Sequence, residues 1–192
     1  MEMAGADVLL DPSFTVPAVP AAGDGMGWVR CMVPRFCEGD AHARRRALVE
    51  RLIVQAGRPE PSSSPTAALL AALGLDPGLE ADVAAVAAAY QPSSPASPAA
   101  DAAADRLAAA CGGRSEESAA RVCVLVQSHA GTLALISRIE AGDGAPPIPA
   151  TRRIAPDGSE VLVALAAAPF GAGRHECPGQ ALGRYLAEAH RP

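Results

Sequence analysis

The chain contains no lysine and no asparagine; all 16 of its basic side chains are arginine. With alanine, glycine and proline abundant, this reads as a gene of high GC content and carries little functional weight. Aromatic residues are only 3%. Large core-filling rings are therefore scarce, and a bulky apolar ligand at the centre would supply buried area that the side chains do not. No excess of positive charge is present: the net charge is -5, which removes the electrostatic footprint expected for nucleic acid or an anionic membrane. No run of eighteen apolar residues escapes charge or proline, and the opening residues lack the basic-then-apolar layout of a signal peptide, so the expected location is cytoplasmic with no membrane partner. The five cysteines (Cys31, Cys37, Cys111, Cys123 and Cys177) form no C-x-x-C pair and no zinc-finger spacing. In a reducing compartment four of them are most simply buried thiols. No flavin or nicotinamide fingerprint occurs either.

At 192 residues the chain is expected to form one domain. Residues 1–27, rich in Pro and Gly, read as an extended arm lying on the surface of another element. A basic helix is expected over 40–57, with Asp40 as N-cap and Arg44, Arg45 and Arg46 in consecutive positions. Cations near a helix N-terminus oppose its dipole and repel one another, so this run is either a solvated face or the partner of an anion. Residues 58–111 alternate Pro/Ser linkers with Ala-rich helical stretches over 67–74, 77–90 and about 99–111. A long helix is expected over 115–141, capped by Ser115, acidic in its first turn, and apolar nearly all round, hence a buried core helix. Residues 150–192 then hold two β-type runs about a Pro156-Asp157-Gly158 turn, a cysteine loop and a final helix.

The cysteine loop reads PFGAGRHECPGQALG from Pro169 to Gly183. Its glycines let the backbone approach a flat, large neighbour, and Pro178 suits the first position of a helix. Cys177 would then lie at a helix N-terminus, where the dipole favours a thiolate. On these grounds alone it is a nucleophile, a redox sensor, a metal ligand or an inert core thiol.

Phe170, Gly171, Gly173, His175, Cys177 and Gly179 fit the pattern F-G-x-G-x-[R/H]-x-C-x-G, which resembles the haem-ligand signature of the cytochrome P-450 family. The resemblance implies haem b (iron protoporphyrin IX), with Cys177 as the thiolate ligand of the iron, an arrangement that favours O–O cleavage. The segment FCEGDAHARRRALVERL resembles the family helix whose H-x-x-x-R pair binds a haem propionate, here His42 and Arg46. PPIPATRRIA resembles the segment supplying another propionate-binding arginine, placed at Arg153 with Arg152 as the alternative, and His175 matches the remaining propionate partner. The implied fold is mainly α with a small β hairpin, a miniature cytochrome P-450-like fold with the long central helix over the haem and the cysteine loop beneath it.

The chain also departs from the family, whose members are about twice as long. No E-x-x-R, the motif that supports the ligand loop, precedes the cysteine segment. Aligned on Thr132, the family's [A/G]-G-x-[D/E]-T reads Ser128, His129, Ala130, Gly131, Thr132, so the threonine is kept and the acid is not. His129, three residues from Thr132, has three readings: a distal acid/base, a second iron ligand or a hydrogen-bonded core histidine.

Three functions follow from the resemblance. The first is a haem-thiolate oxidoreductase acting on a small organic molecule in specialised biosynthesis, by monooxygenation, peroxygenation or a non-oxygenating haem reaction, with Thr132 and His129 as catalytic residues. Dioxygen chemistry would require an outside electron donor such as a ferredoxin, docking near Arg44, Arg45 and Arg174. The second is a non-catalytic haem sensor or carrier, and the third an accessory subunit without haem. So abridged a chain would leave apolar surface uncovered, implying a homodimer or partner complex.

Overall fold

The computed structural model describes residues 3–95, 97–143 and 145–190. Among these residues the chain forms seven α-helices and one two-stranded antiparallel sheet, a mainly helical fold with a small β element. The helices are α1 (Gly25–Met32), α2 (Gly39–Ala56), α3 (Pro65–Ala72), α4 (Glu80–Ala88), α5 (Pro98–Ala110), α6 (Glu116–Glu140) and α7 (Gln180–Ala189). The strands are β1 (Ala150–Ile154) and β2 (Glu160–Ala164), paired with Arg153 opposite Val161.

Helix α6 is the axis of the molecule, packed against α1, α2, α3, α4, α5 and α7. Ser115 caps it by accepting a hydrogen bond from the Ser118 amide, and Glu116 and Glu117 complement its dipole. Its burial is uneven. Residues from Ser118 to Val126 are buried except Arg121, with Ala119, Val122 and Leu125 fully enclosed, whereas beyond Gln127 mainly Thr132 is sealed and Leu133 and Ile139 are exposed. The expectation of a helix buried throughout is corrected in this half, where α3 and α7 cover part of the helix, a cavity lies along another part, and the face with Leu133 and Ile139 is left open.

The arm is more structured than its composition implied. Ala6–Leu10 forms a 3₁₀ turn and α1 starts at Gly25, inside the stretch expected to be extended. Proline and glycine hid both, since Gly25 enters the helix at φ +52° and hands over to the apolar turn of Met26, Trp28 and Val29. The arm does lie on another element. Ala4 exchanges hydrogen bonds with Leu162 and Ala164 beside β2, and Thr15 exchanges a pair with Ile154 of β1, so it clasps both edges of the hairpin. Between them, Leu9 packs on Val163 and Leu165 as a second, smaller core.

Helix α2 starts one residue before the expected boundary, with Glu38 rather than Asp40 in the capping position and Asp40 in its first turn. The arginine run finds its anion within the protein. Arg44 makes a bidentate pair with Glu116 at 2.7 and 2.8 Å, and Arg45 reaches the same carboxylate at 3.0 Å. Arg44's bonds first, and then Arg45's, outweigh partial burial and hold Glu116 at about 2. With Arg174 held by Glu38, the face expected to receive an electron donor is not a row of free cations. The last helix starts at Gln180, two residues beyond Pro178, which sits in the turn leading into it.

Arg30 of α1 closes the end of α4. Its guanidinium donates to the carbonyls of Ala89, Tyr90, Gln91 and Ser94 in the segment that follows the helix. Tyr90 and Gln91 line the cavity beside α6, so this clamp shapes one of its walls. Replacing Arg30 with alanine is expected to lower the unfolding free energy by about 2 kcal/mol in urea titrations, because several carbonyls lose a charged donor together.

Candidate functional site

A cavity of about 800 Å³ opens between the middle of α6, one face of α2, the β hairpin and the Cys177 loop. This is large for a ligand site, for which about 300–1,000 Å³ is usual. Its wall is mostly apolar, with Val49 and Ile53 from α2, Val124 and Leu135 from α6, and Leu162, Phe170 and Leu182 around the loop.

The loop is a closed turn. Cys177 donates its amide to the Phe170 carbonyl at 2.8 Å, and Gly171, at φ +77°, donates to Ala168. Gly173 does not serve close approach to a ligand, as its spacing implied. A Cβ there would fall 2.6 Å from the Leu9 carbonyl oxygen, so this glycine admits the arm. Gly179 stands by the sulfur; a Cβ there would be 3.9 Å from Cys177 Sγ and 3.7 Å from Ile53.

One carboxylate ties the loop to the rest of the protein. Glu38, just before α2, accepts from the Val16 amide at 2.9 Å and from Arg174 at 2.7 and 3.2 Å, and lies 3.2 Å from His175 Nε2. The His175 approach is close, but the ring N–H is not aimed at the carboxylate, and Nε2 is left as a buried atom without a hydrogen-bond partner. Burial acts to raise the Glu38 carboxyl, yet Arg174, the Val16 amide and His175 together hold it at about 2. Arg46, one turn along α2, adds a strap by donating to the carbonyls of Glu176 at 2.6 Å and Arg174 at 3.1 Å, while its Nε holds Glu50 at 2.7 Å.

His42 is buried against His175, with ring centroids 4.1 Å apart. Burial first, and then its neighbours' positive charge, push His175 down to about 4; the same two causes lower His42. Arg153 is 7% exposed and donates only to Thr151 Oγ1 and the Arg152 carbonyl, with no carboxylate on it. Burial, and next the field of Arg35, lower its affinity for its proton. Arg152, the alternative to it, is exposed at the edge of the cavity, in an ion pair with Glu160.

The structure therefore brings Cys177, His42, Arg46, Arg153, His175, Phe170, Gly171, Gly179 and Thr132 onto one cavity. Thr132 is 1% exposed and its hydroxyl has no partner. His129 is the exception. It turns away from this wall and hydrogen-bonds Thr66 of α3 through Nδ1 at 2.8 Å. The cavity face of α6 runs through Gln127, Ser128, Gly131, Thr132 and Leu135, and α3 covers the neighbouring face that carries His129. The reading of His129 as acid/base or ligand is corrected to the third one, a hydrogen-bonded core histidine.

Cys177 Sγ is open to the cavity but ringed by protein. Burial raises its thiol, outweighing the Gly179 amide and the fields of Arg46 and Arg35. The helix-terminus argument for a ready-made thiolate is thus overridden, and a thiolate here calls for a bound cation. Among the described residues no group of three or more His, Cys, Asp or Glu is placed to hold a metal ion, so the protein offers a single strong donor rather than a cage. Arg35 was missed by sequence reasoning. It lines the same cavity, and its Nε is buried with no partner, but it stands in no recognisable motif.

The Glu38 junction generates a pH-dependent test. The carboxyl is held at about 2 against an ordinary 4.5, so its stabilisation is full above pH 4.5 and is lost as pH falls from there toward 2. At pH 7, Glu38→Gln is expected to cost about 1–2 kcal/mol in chemical denaturation, since the side chain is partly exposed. The gap to wild type should narrow as pH is lowered below 4.5.

No family model matches the sequence, and no curated protein does. Among solved structures, the chain is similar in fold to one in the crystal structure of P450BioI in complex with hexadec-9Z-enoic acid ligated acyl carrier protein. The TM-score is 0.69 at 16% identity, over 96% of this chain and 80% of that one.

Proposed function

We propose that the protein binds haem b with Cys177 as the axial thiolate and is a haem-thiolate oxidoreductase acting on a small organic molecule. The observation that carries this reading is the composition of the cavity. A sulfur donor, two guanidinium groups that have no carboxylate partner among the described residues and two neutral histidines line a mostly apolar space of about 800 Å³. A flat apolar macrocycle that brings its own metal ligands and two carboxylates fits each of these features. The metal accounts for a thiolate where burial favours a thiol, and the carboxylates account for Arg153 and for the unpartnered His175 Nε2. The similarity in fold to a chain of the P450BioI–acyl carrier protein complex lends support at the level of the fold.

When bound, such a group supplies thiolate-pushed oxidation chemistry. The chain's own residues would do the rest. Arg153, His175 and His42 would hold and orient the carboxylate edge, and Arg46 and Glu38 would keep the Cys177 loop in place. Val124 and Leu135 would exclude water on the α6 side, and Thr132 Oγ1 would donate or accept a proton there. With no acid beside Thr132 and His129 turned to Thr66, proton delivery rests on that hydroxyl and water, which favours peroxide use or a redox-neutral reaction over dioxygen activation. The sensor or carrier reading leaned on His129 as a second ligand, and its contact with Thr66 weighs against it. Buried, carboxylate-free Arg153 weighs against a haem-free accessory subunit.

The test is the absorption spectrum of protein prepared with haem, as ferric, reduced, and reduced plus carbon monoxide. A strongly red-shifted Soret band in the last state, lost in Cys177→Ala, is expected; its absence from the wild type refutes thiolate ligation. His129→Ala should leave all three spectra unchanged, and a ligand-field change in that variant would return His129 to the site.

A further inference from the structure

Arg35 belongs to neither the Glu38 junction nor the cysteine motif, and its position is hard to account for without a ligand. It lies in the short 3₁₀ turn Pro34–Phe36 between α1 and α2, with its guanidinium carbon 5.7 Å from the centroid of the Phe36 ring. That turn is anchored by buried Pro34 and Phe36, so the arginine is held against the cavity rather than hanging in solvent. Its Nε is buried with no hydrogen-bond partner, and among the described residues no carboxylate pairs with it.

The neighbours deepen the problem. Arg35, itself partly buried, acts electrostatically on Arg153, a buried cation with no carboxylate partner among the described residues, and on Cys177, Cys123 and Tyr90. Two guanidinium groups facing one apolar space repel each other and lack the counter-charge that buried ions need. The glutamates on the same wall, Glu160 and Glu176, do not serve: Glu160 is taken by Arg152, and Glu176 is exposed on the loop.

We infer that Arg35 is a carboxylate-binding residue of this cavity, gripping an anionic ligand group together with Arg153. A guanidinium fork matches a carboxylate in shape and charge. The carboxylate has two sources: a propionate of the porphyrin or an acid group on the substrate. The first source rests on the haem reading above, whereas the second does not.

Metal-free protoporphyrin IX and its dimethyl ester, titrated by porphyrin fluorescence, separate the carboxylate contribution from any bond to Cys177. Hexanoate and 1-hexanol, titrated by calorimetry into the protein as isolated, do the same for a substrate acid. Wild type is expected to favour the acid over its uncharged counterpart in at least one pair. Arg35→Gln is expected to reduce that preference about tenfold or more, with Arg35→Lys between the two. Loss in the porphyrin pair assigns Arg35 to a propionate, and loss in the hexanoate pair assigns it to the substrate. Since Arg35 has no hydrogen-bond or carboxylate partner to lose among the described residues, and only its contact with the Phe36 ring, the glutamine variant should unfold within a few degrees of wild type or higher. The inference is overturned if wild type shows no preference in either pair, or if Arg35→Gln retains every preference. Because neither porphyrin probe carries iron, failure of the Cys177 spectrum leaves this result independent.

Discussion

A cation can be buried in an apolar wall only if something answers its charge, and this constraint organises the region around Cys177. Arg44, Arg45, Arg46, Arg152 and Arg174 are each answered by a carboxylate of the protein itself. Arg153 and Arg35 are not. Four arginines, Arg35, Arg46, Arg152 and Arg153, line the cavity; Arg46 and Arg152 reach it with their carboxylates in hand, while Arg35 and Arg153 reach it with none among the described residues. A fold that needed only to pack would bury apolar side chains at these two positions, as replacing buried ions commonly costs nothing or stabilises. Retaining guanidinium groups there has a physical rationale when an anionic ligand completes the site.

The same logic explains how so short a chain steadies its cysteine loop. The supporting motif that the resemblance calls for ahead of the loop is absent from the sequence, and the loop is held from the other side. Glu38 gathers Arg174 and His175 from the loop and the Val16 amide from the arm, and Arg46 straps the carbonyls of Arg174 and Glu176. The arm closes the arrangement by clasping both edges of the hairpin and passing under Gly173, where no side chain would fit. Charge-assisted hydrogen bonds hold the loop with few residues, and they make it depend strongly on one carboxylate.

The long helix and the hairpin turn were legible because their signals are local. Ser115 with two following glutamates marks a helix start, and Pro156-Asp157-Gly158 between β-type runs marks a turn. The residues of the cysteine loop were legible as a pattern, and the cavity gathers all of them but Gly173, which faces the arm. Helix α1 escaped because its glycines and the prolines before it mask an apolar turn that only packing against α5 and α6 rewards. His129 was misplaced because a sequence spacing fixes an angle on a helix and not the helix that covers it; α3, with Thr66, took that face. Arg35 escaped for a related reason. Its meaning comes from the absence of a partner, which is visible only once every nearby carboxylate has been placed.

The central claim is that the cavity holds an iron porphyrin through the sulfur of Cys177. X-ray absorption at the iron edge of the haem-loaded protein tests it most directly, because it reports the atoms bound to the metal whatever the reaction. The account predicts one sulfur neighbour in addition to the porphyrin nitrogens. An iron shell made of nitrogen and oxygen alone would contradict it.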